Sequence, residues 1–373
     1  MIFSIYSPNY QADGIGDYTR ILVQKLRQRG HDVHVIASGR YAGDDQRVIK
    51  IGDGYWGIRE LVKAFRKIRE GRFDVVHLQY TPVSYGFGVT FKFLPFLIQI
   101  SIHDILFVTT FHTLVGGKWI SRLNALLLSA FSHKIIGTNE EVAFLFRKWL
   151  GLFKGKFSQI PIGANVSPAE TDIRQTRELL AKKYGIVKDA VILSNFGFSN
   201  PGKGFEDLID ALNRLNVNGR YYVLQIGAIR DEDVEFRNYL KSLIRMRGME
   251  KNFIWTGKLD QQQASALLKA SDIYVVPYTD GISIRRGSLM AGIVNGLPII
   301  STFPRVEVPY FKDGKNVVLV ERGDPVRLAG AVERLAKDKD LREKLSVGVN
   351  ELAEEFDWDR IADRTLKVYS RGK

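Results

Sequence analysis

Residues 280–298 read DGISIRRGSLMAGIVNGLP, preceded by ASDIYVVPY (270–278) and followed by Ile299-Ile300. An apolar β-type run gives way to a polar, glycine-bearing loop with two adjacent arginines. An apolar helix follows, closes at Asn295-Gly296, and Pro298 opens the next apolar run. Strand, helix and strand in this order predict parallel pairing, because two parallel strands need a crossover between them. The helix start offers unpaired N–H groups and the positive end of a dipole, which suit a phosphate. Arg285 and Arg286 add fixed charge and forked donors at the same spot. The segment predicts a diphosphate seat.

The same alternation extends outward in both directions. Toward the N-terminus, strands are expected over 1–6, 33–37, 74–78, 105–111, 134–137 and 157–160, with helices over 15–29, 57–70, 88–101, 119–131 and 139–149. The polar stretch PIGANVSPAETDIRQT (161–176) is expected to be a linker. Beyond it the pattern restarts, with strands near 191–196, 221–226, 252–255, 273–276, 298–301 and 317–320. Helices are expected between and after them at 203–215, 232–247, 260–269, 286–295, 324–336 and 339–354. The fold class that follows is α/β: two doubly wound Rossmann-like domains facing a cleft. The expected boundaries are 1–165 for the first domain and 175–355 for the second. Segment 356–373, with a helix over 357–370, is expected to cross back onto the first domain.

The 373 residues suffice for two cores, and 45% hydrophobic with 25% charged residues is an ordinary globular composition. Without cysteine there is neither a disulfide nor a thiolate metal site. The six histidines show no paired-ligand spacing, so no metal is expected. The N-terminus MIFSIYSPNYQADG reads as a first strand rather than a signal peptide. Residues 87–111 are apolar but broken by Lys92, Pro95, His103 and Asp104, too interrupted for a membrane span.

The net charge is +13, and residues 1–170 hold 21 Lys and Arg against 13 Asp and Glu. Part of the excess sits on GIRELVKAFRKIREGR (57–72). There Ile58, Leu61, Val62, Phe65 and Ile68 fall on one helical face, with Arg59, Lys63, Arg66, Lys67 and Arg69 around it. This is either a surface helix with solvated cations or a face for an anionic membrane surface. Nucleic acid is not expected, since no binding motif accompanies the charge.

Candidate site residues cluster where strands give way to helices. Gly14 and Gly16 follow the first strand, in a turn that lets backbone approach a phosphate, although tight packing alone also uses such glycines. His112 ends the strand 105–111 and suits a donor to a substrate hydroxyl or a general acid or base; the alternative is a loop cap. His77, inside a strand, reads as a satisfied core residue. In the second half Gly197 ends a strand, and Lys203, between Gly202 and Gly204 at a helix start, suits an anion. Gly227 is a further strand-end glycine, and Pro161-Ile162-Gly163 reads as a hinge turn or a plain linker.

GIGDYT, RGHDVHVI, FDVVHLQY, FVTTFH, HKIIGTNEEV, IPIGAN, GKGFEDLIDAL, WTGKL, ASDIYVVPY, NGLPIIST and the terminal DWDRIADRTLKVY occur in this order over nearly the whole chain. The ordered set resembles the retaining glycosyltransferases of family 4, which have the GT-B fold. The resemblance implies a nucleoside-diphosphate sugar as donor, transfer with retention, and no metal or other cofactor. It places Gly14 and Gly16 by the donor phosphates, His112 by the transferred sugar, Lys203 on the diphosphate and the helix after Arg286 completing the seat.

The chain departs from that family pattern at three positions. Phe198 stands where an arginine is usual, and Ser283 and Ala291 stand where two glutamates are usual. Arg285, Arg286 and Ser288 occupy positions where the family uses backbone donors. On one account the arginines replace the missing cation and Asp280 replaces a lost carboxylate, a catalytic candidate beside His112. Gly197, Gly227 and Ser283 are then nucleotide or sugar contacts. On another account donor binding is weak or absent and the chain is a binding subunit; a nucleotide-sugar epimerase is a third reading. The expected acceptor is lipid-linked, polysaccharide or another glycan, and the expected location is cytoplasmic, with peripheral attachment at the inner membrane face.

Overall fold

The computed structural model describes residues 2–6, 14–38, 41, 43–52, 56–85, 90–102, 104–114, 119–164, 166–215, 219–228 and 233–370. The chain divides into two compact units, Met1–Gly163 with Phe356–Lys373, and Ala164–Glu355.

The first unit begins with β1 (Ile2–Tyr6), α1 (Gly14–Gln28), β2 (Asp32–Ser38), β3 (Val48–Ile51), α2 (Ile58–Gly71) and β4 (Val75–Tyr80). It continues through α3 (Pro82–Tyr85), α4 (Leu94–Ser101), β5 (Leu106–Phe111), α5 (Trp119–Phe131), β6 (Lys134–Gly137), α6 (Glu140–Trp149) and β7 (Phe157–Gln159). Its sheet has the order β3-β2-β1-β4-β5-β6-β7 with every pairing parallel. β4 and β5 are buried along their whole length. One apolar layer gathers Leu61, Ala64 and Ile68 of α2 with Leu94, Ile98 and Leu128. The opposite layer gathers Leu22, Val23 and Leu26 of α1 with Ile361, Ala362 and Val368. Each buried leucine, isoleucine or valine among them contributes about 1.5–3 kcal/mol.

The second unit holds α7 (Ile173–Tyr184), β8 (Val191–Phe196), α8 (Phe205–Arg214), β9 (Tyr221–Ile226), α9 (Val234–Met246), β10 (Phe253–Trp255) and α10 (Gln261–Lys269). It ends with β11 (Ile273–Val276), α11 (Gly287–Val294), β12 (Ile299–Thr302), β13 (Val318–Val320), α12 (Pro325–Lys337) and α13 (Lys339–Ala353). Its strand order is β10-β9-β8-β11-β12-β13, again all parallel. In each sheet the order reverses beside the first strand, between β1 and β4 and between β8 and β11. Ligands of open α/β sheets bind beyond the strand ends at such a switch point.

The last helix, α14 (Trp358–Ser370), belongs to the first unit. It lies along α1, where Asp359 pairs with Lys25 and Arg29, and Asp363 pairs with Arg29. These pairs are exposed and individually worth little. Burial of Ile361, Ala362, Val368 and Tyr369 holds the helix. Gly163 packs against it so closely that an added Cβ would lie 2.6 Å from the Trp358 ring.

Four local expectations are corrected. Residues 161–176 are not all linker, because α7 starts at Ile173, where the Asp172 side chain accepts from the Arg174 and Gln175 amides. Its periodic signal is faint, since Leu180 alone is fully buried. The strand β3 was not expected; it is four residues long at the sheet edge and buries only Val48 and Ile51. The helix expected over 88–101 is a 3₁₀ turn, Thr90–Phe93, followed by α4 with Pro95 in its first turn, where proline starts helices; residues 88 and 89 lie outside the described residues. On α2 the buried stripe is Leu61, Ala64 and Ile68, whereas Ile58 (69%) and Val62 (40%) are exposed.

Candidate functional site

The loops after β8 and β11 meet at the switch point of the second unit. Gly204 makes this possible. It adopts φ 67°, and an added Cβ would lie 1.9 Å from the Pro277 carbonyl oxygen. The β8 loop therefore lies directly against the end of β11, and Lys203 is carried in with it. Lys203 is buried, and its Nζ donates to the Phe196 carbonyl at 2.6 Å. Burial, then the neighbouring Arg286, lowers its pKa to about 7.

From the β11 loop, the Arg286 guanidinium stacks 4.2 Å from the centroid of the Tyr278 ring, over which the Lys203 ammonium also stands at 6.0 Å. Arg285 and Arg286 each donate to a different oxygen of Asp280. The Arg286 Nε is buried and has no hydrogen-bond partner among the described residues. Tyr278 Oη and Ser288 Oγ lie 3.0 Å apart, and the Ser288 carbonyl accepts from Tyr274 Oη. Among the described residues no side chain caps α11, whose N-cap is Arg286 itself; the Leu289 amide donates to the Arg286 carbonyl, and those of Gly287 and Ser288 precede it at the helix start. Ser283 is buried, its hydroxyl accepting from the Arg285 amide and its carbonyl from the Arg286 amide. Gly227 abuts the Gly197 backbone, and Ser288 lies 3.6 Å from where a Gly197 Cβ would stand.

The structure thus brings Gly197, Lys203, Gly227, Asp280, Ser283, Arg285, Arg286 and Ser288 to one end of one sheet. It also assigns Asp280 a definite part. Both of its oxygens are engaged by the arginines, so it orients and partly neutralises them. Such a cluster can bind a polyanion through Lys203, the outer guanidinium donors and the α11 amides. Phe198, on the same loop, is 43% exposed and adds no charge.

In the first unit His112 follows β5, one strand from the switch point, and is 7% exposed. Its Nε2 lies 2.8 Å from Gln79 Oε1 on β4. Its carbonyl accepts from the Asn139 side chain, which also caps α6. Tyr18 of α1 meets the imidazole edge-on, with centroids 4.9 Å apart. Burial lowers the His112 pKa to about 3. His77 is hydrogen-bonded inside the core, between Tyr369 Oη and Thr110 Oγ1, each 2.6 Å away. At the start of α1, Gly14 is exposed and an added Cβ there would meet nothing, while Gly16 is buried; residues 7–13 of that turn lie outside the described residues.

Sequence reasoning missed Gln79, Tyr278 and Asn139. The signal for Gln79 was present, since a polar side chain two residues from His77 in VVHLQY points to the same buried face. Among the described residues no group of three or more His, Cys, Asp or Glu is placed to hold a metal ion. No helix among them is long and apolar enough to cross a membrane.

Two parallel-sheet units of this topology, with a cationic cluster at the switch point of the second, fit a GT-B architecture. Residues 12–167 match the family model "Glycosyltransferase Family 4", and residues 176–349 match "Glycosyl transferases group 1". The chain is therefore a glycosyltransferase built from a family 4-like domain followed by a group 1 domain. A phosphatidyl-myo-inositol mannosyltransferase of Mycobacterium leprae is 25% identical, with 95% of this chain and 92% of that protein covered. A D-inositol 3-phosphate glycosyltransferase of Corynebacterium diphtheriae is 24% identical over 99% of this chain and 93% of its own length. Among solved structures, Anabaena HepE in complex with UDP and glucose has a TM-score of 0.77 at 16% identity, with both chains fully covered. A Rickettsia africae glycosyltransferase has a TM-score of 0.80 at 17% identity, with 100% and 98% covered.

Proposed function

We propose that the protein is a retaining, metal-independent hexosyltransferase that moves a sugar from a nucleoside diphosphate to a lipid-linked, polysaccharide or other glycan acceptor. The observation that carries this reading is the cationic cluster of Lys203, Arg285 and Arg286 at the β8–β11 switch point, beside the uncapped start of α11. When the glycosidic bond of the donor breaks, negative charge grows on the departing diphosphate. Preorganised cations and amides stabilise that state more than the ground state. These side chains supply the charge that a divalent ion supplies elsewhere, so the reading calls on no metal. Gly14 and Gly16 are assigned to the donor phosphates, His112 to the transferred sugar, and Gly197, Gly227 and Ser283 to the nucleotide or sugar. UDP and glucose in the HepE complex support a sugar nucleotide, and the mannosyltransferase relative supports a lipid acceptor.

The reading includes a cytoplasmic protein resting on an anionic membrane surface through α2. Ile58 and Val62 stand exposed there among Arg59, Lys63, Arg66, Lys67 and Arg69, an apolar pair framed by cations.

Thermal shift across UDP-, GDP-, ADP- and dTDP-sugars, followed by donor hydrolysis with the best binder, tests the enzyme. Stabilisation by one nucleotide class together with slow hydrolysis is expected. Binding without turnover, with or without acceptor, would instead establish a sugar-nucleotide-binding subunit, a reading favoured by Ser283 and Ala291. No stabilisation by any of them would sink the transferase reading.

A further inference from the structure

His77 and Gln79 lie two residues apart on β4, both fully buried, and Thr110 faces them from β5. His77 is held at both ring nitrogens, Nδ1 by Tyr369 Oη of α14 and Nε2 by Thr110 Oγ1. The ring is satisfied in either tautomer, because Tyr369 and Thr110 offer hydroxyls that can donate or accept. The Gln79 amide nitrogen stands beside that ring, 3.5 Å from Nδ1 and 3.3 Å from Nε2, and its oxygen stands 2.8 Å from His112 Nε2. A carboxamide oxygen can only accept, so His112 must carry its hydrogen on Nε2.

A neutral imidazole has one N–H. With that hydrogen given to Gln79, His112 Nδ1 is left as a bare lone pair, and it has no hydrogen-bond partner among the described residues. Burial favours the uncharged ring, as its lowered pKa of about 3 also indicates. A ring in this state has no proton to give to a leaving group.

We propose that Gln79 is a positioning residue that locks His112 in the Nε2–H tautomer, so that the site presents Nδ1 as a hydrogen-bond acceptor for a hydroxyl of the transferred sugar. The hydroxyl rests on the transferase reading; the tautomer rests on geometry alone. His77, held by Thr110 and Tyr369, backs the amide nitrogen of Gln79 on the side away from His112.

The test is ¹⁵N-histidine NMR of the full chain at neutral pH, with the His112 signals assigned by their loss in His112→Gln. The wild type should show a protonated Nε2 and a bare Nδ1. Gln79→Leu, which removes the acceptor, should give a mixture of tautomers. Where that variant does not fold, Gln79→Glu decides, because a carboxylate keeps the Nε2–H and should move the His112 titration upward. A wild-type Nδ1–H tautomer overturns the proposal. So does a tautomer untouched in Gln79→Leu, or an unmoved titration in Gln79→Glu. In donor hydrolysis Gln79→Leu should lower kcat by about tenfold or more while KM for the donor stays within about twofold, a loss of orientation rather than of binding. An equal loss in KM alone would also count against it. If the wild type turns over no sugar nucleotide, the transferase reading fails, and the NMR result still decides the role of Gln79.

Discussion

The Arg286 guanidinium lies 4.2 Å from the centroid of the Tyr278 ring while also donating to Asp280. One arginine is thus held on its flat face by an aromatic ring and along its edge by a carboxylate. This leaves little freedom to lose when an anion arrives, so its binding energy is not spent on ordering the side chain. The same geometry is costly without an anion, since two guanidiniums share one carboxylate and the buried Lys203 lies beside Arg286.

Asp280→Asn should therefore destabilise the free protein more than an ordinary surface substitution does. The pairs are only partly buried, so the expected cost is about 1–3 kcal/mol, below that of breaking a fully buried pair. Inorganic phosphate or UDP should restore more stability to the variant than it adds to the wild type. Thermal melts with and without phosphate check this. Equal upshifts in both proteins would mean that Asp280 does not neutralise the arginines.

Lys203 gives the seat a pH dependence with a definite sign. Its folded pKa lies near 7 against an ordinary 10.5, so the unfolded chain binds more protons between these values. The cost of holding this lysine charged inside the fold is fully present below pH 7. It is relieved as pH rises toward 10.5. A diphosphate favours the charged form, so binding above pH 7 should take up a proton and weaken by up to about tenfold per pH unit. Titration calorimetry of UDP in buffers of different ionisation heat measures this uptake, and Lys203→Met should abolish it.

Gly204→Ala should separate the β8 loop from β11. The left-handed backbone and the 1.9 Å approach to the Pro277 carbonyl leave no room for a methyl group. A loss of about 1–3 kcal/mol in denaturant unfolding is expected, together with loss of nucleotide binding as Lys203 moves. A variant as stable as the wild type that binds UDP normally would show that the close approach does not position the lysine.

On α2, Ile58→Asp and Val62→Asp should change stability by less than about 0.5 kcal/mol, because both side chains are exposed. Flotation with anionic liposomes should fall in both, and also when Arg59, Lys63, Arg66 and Lys67 are neutralised. Flotation that stays the same in every variant would leave α2 as a plain surface helix.

Strand and helix alternation, glycine turns and the apolar runs of β4, β5 and β11 are local properties, and they sufficed for two parallel sheets, the edge strand β3 apart. Elements that bury little left little periodicity: α7 with Leu180, β3 with Val48 and Ile51. The exposed Ile58 and Val62 show the converse, since an apolar stripe on a helix records which residues share a face and not which of them the sheet covers.

The candidate residues of the second unit were legible one by one, as glycines and cations after strands. Their relations were not. That Asp280 engages both arginines, that Tyr278 stacks on one of them, and that Gln79 meets His112 from 33 residues away depend on side chains converging from different loops and strands. Periodicity acts over a few residues through backbone geometry. Charge neutralisation, a lowered lysine pKa and the choice of an imidazole tautomer act through space, and so they arise once the sheets have formed.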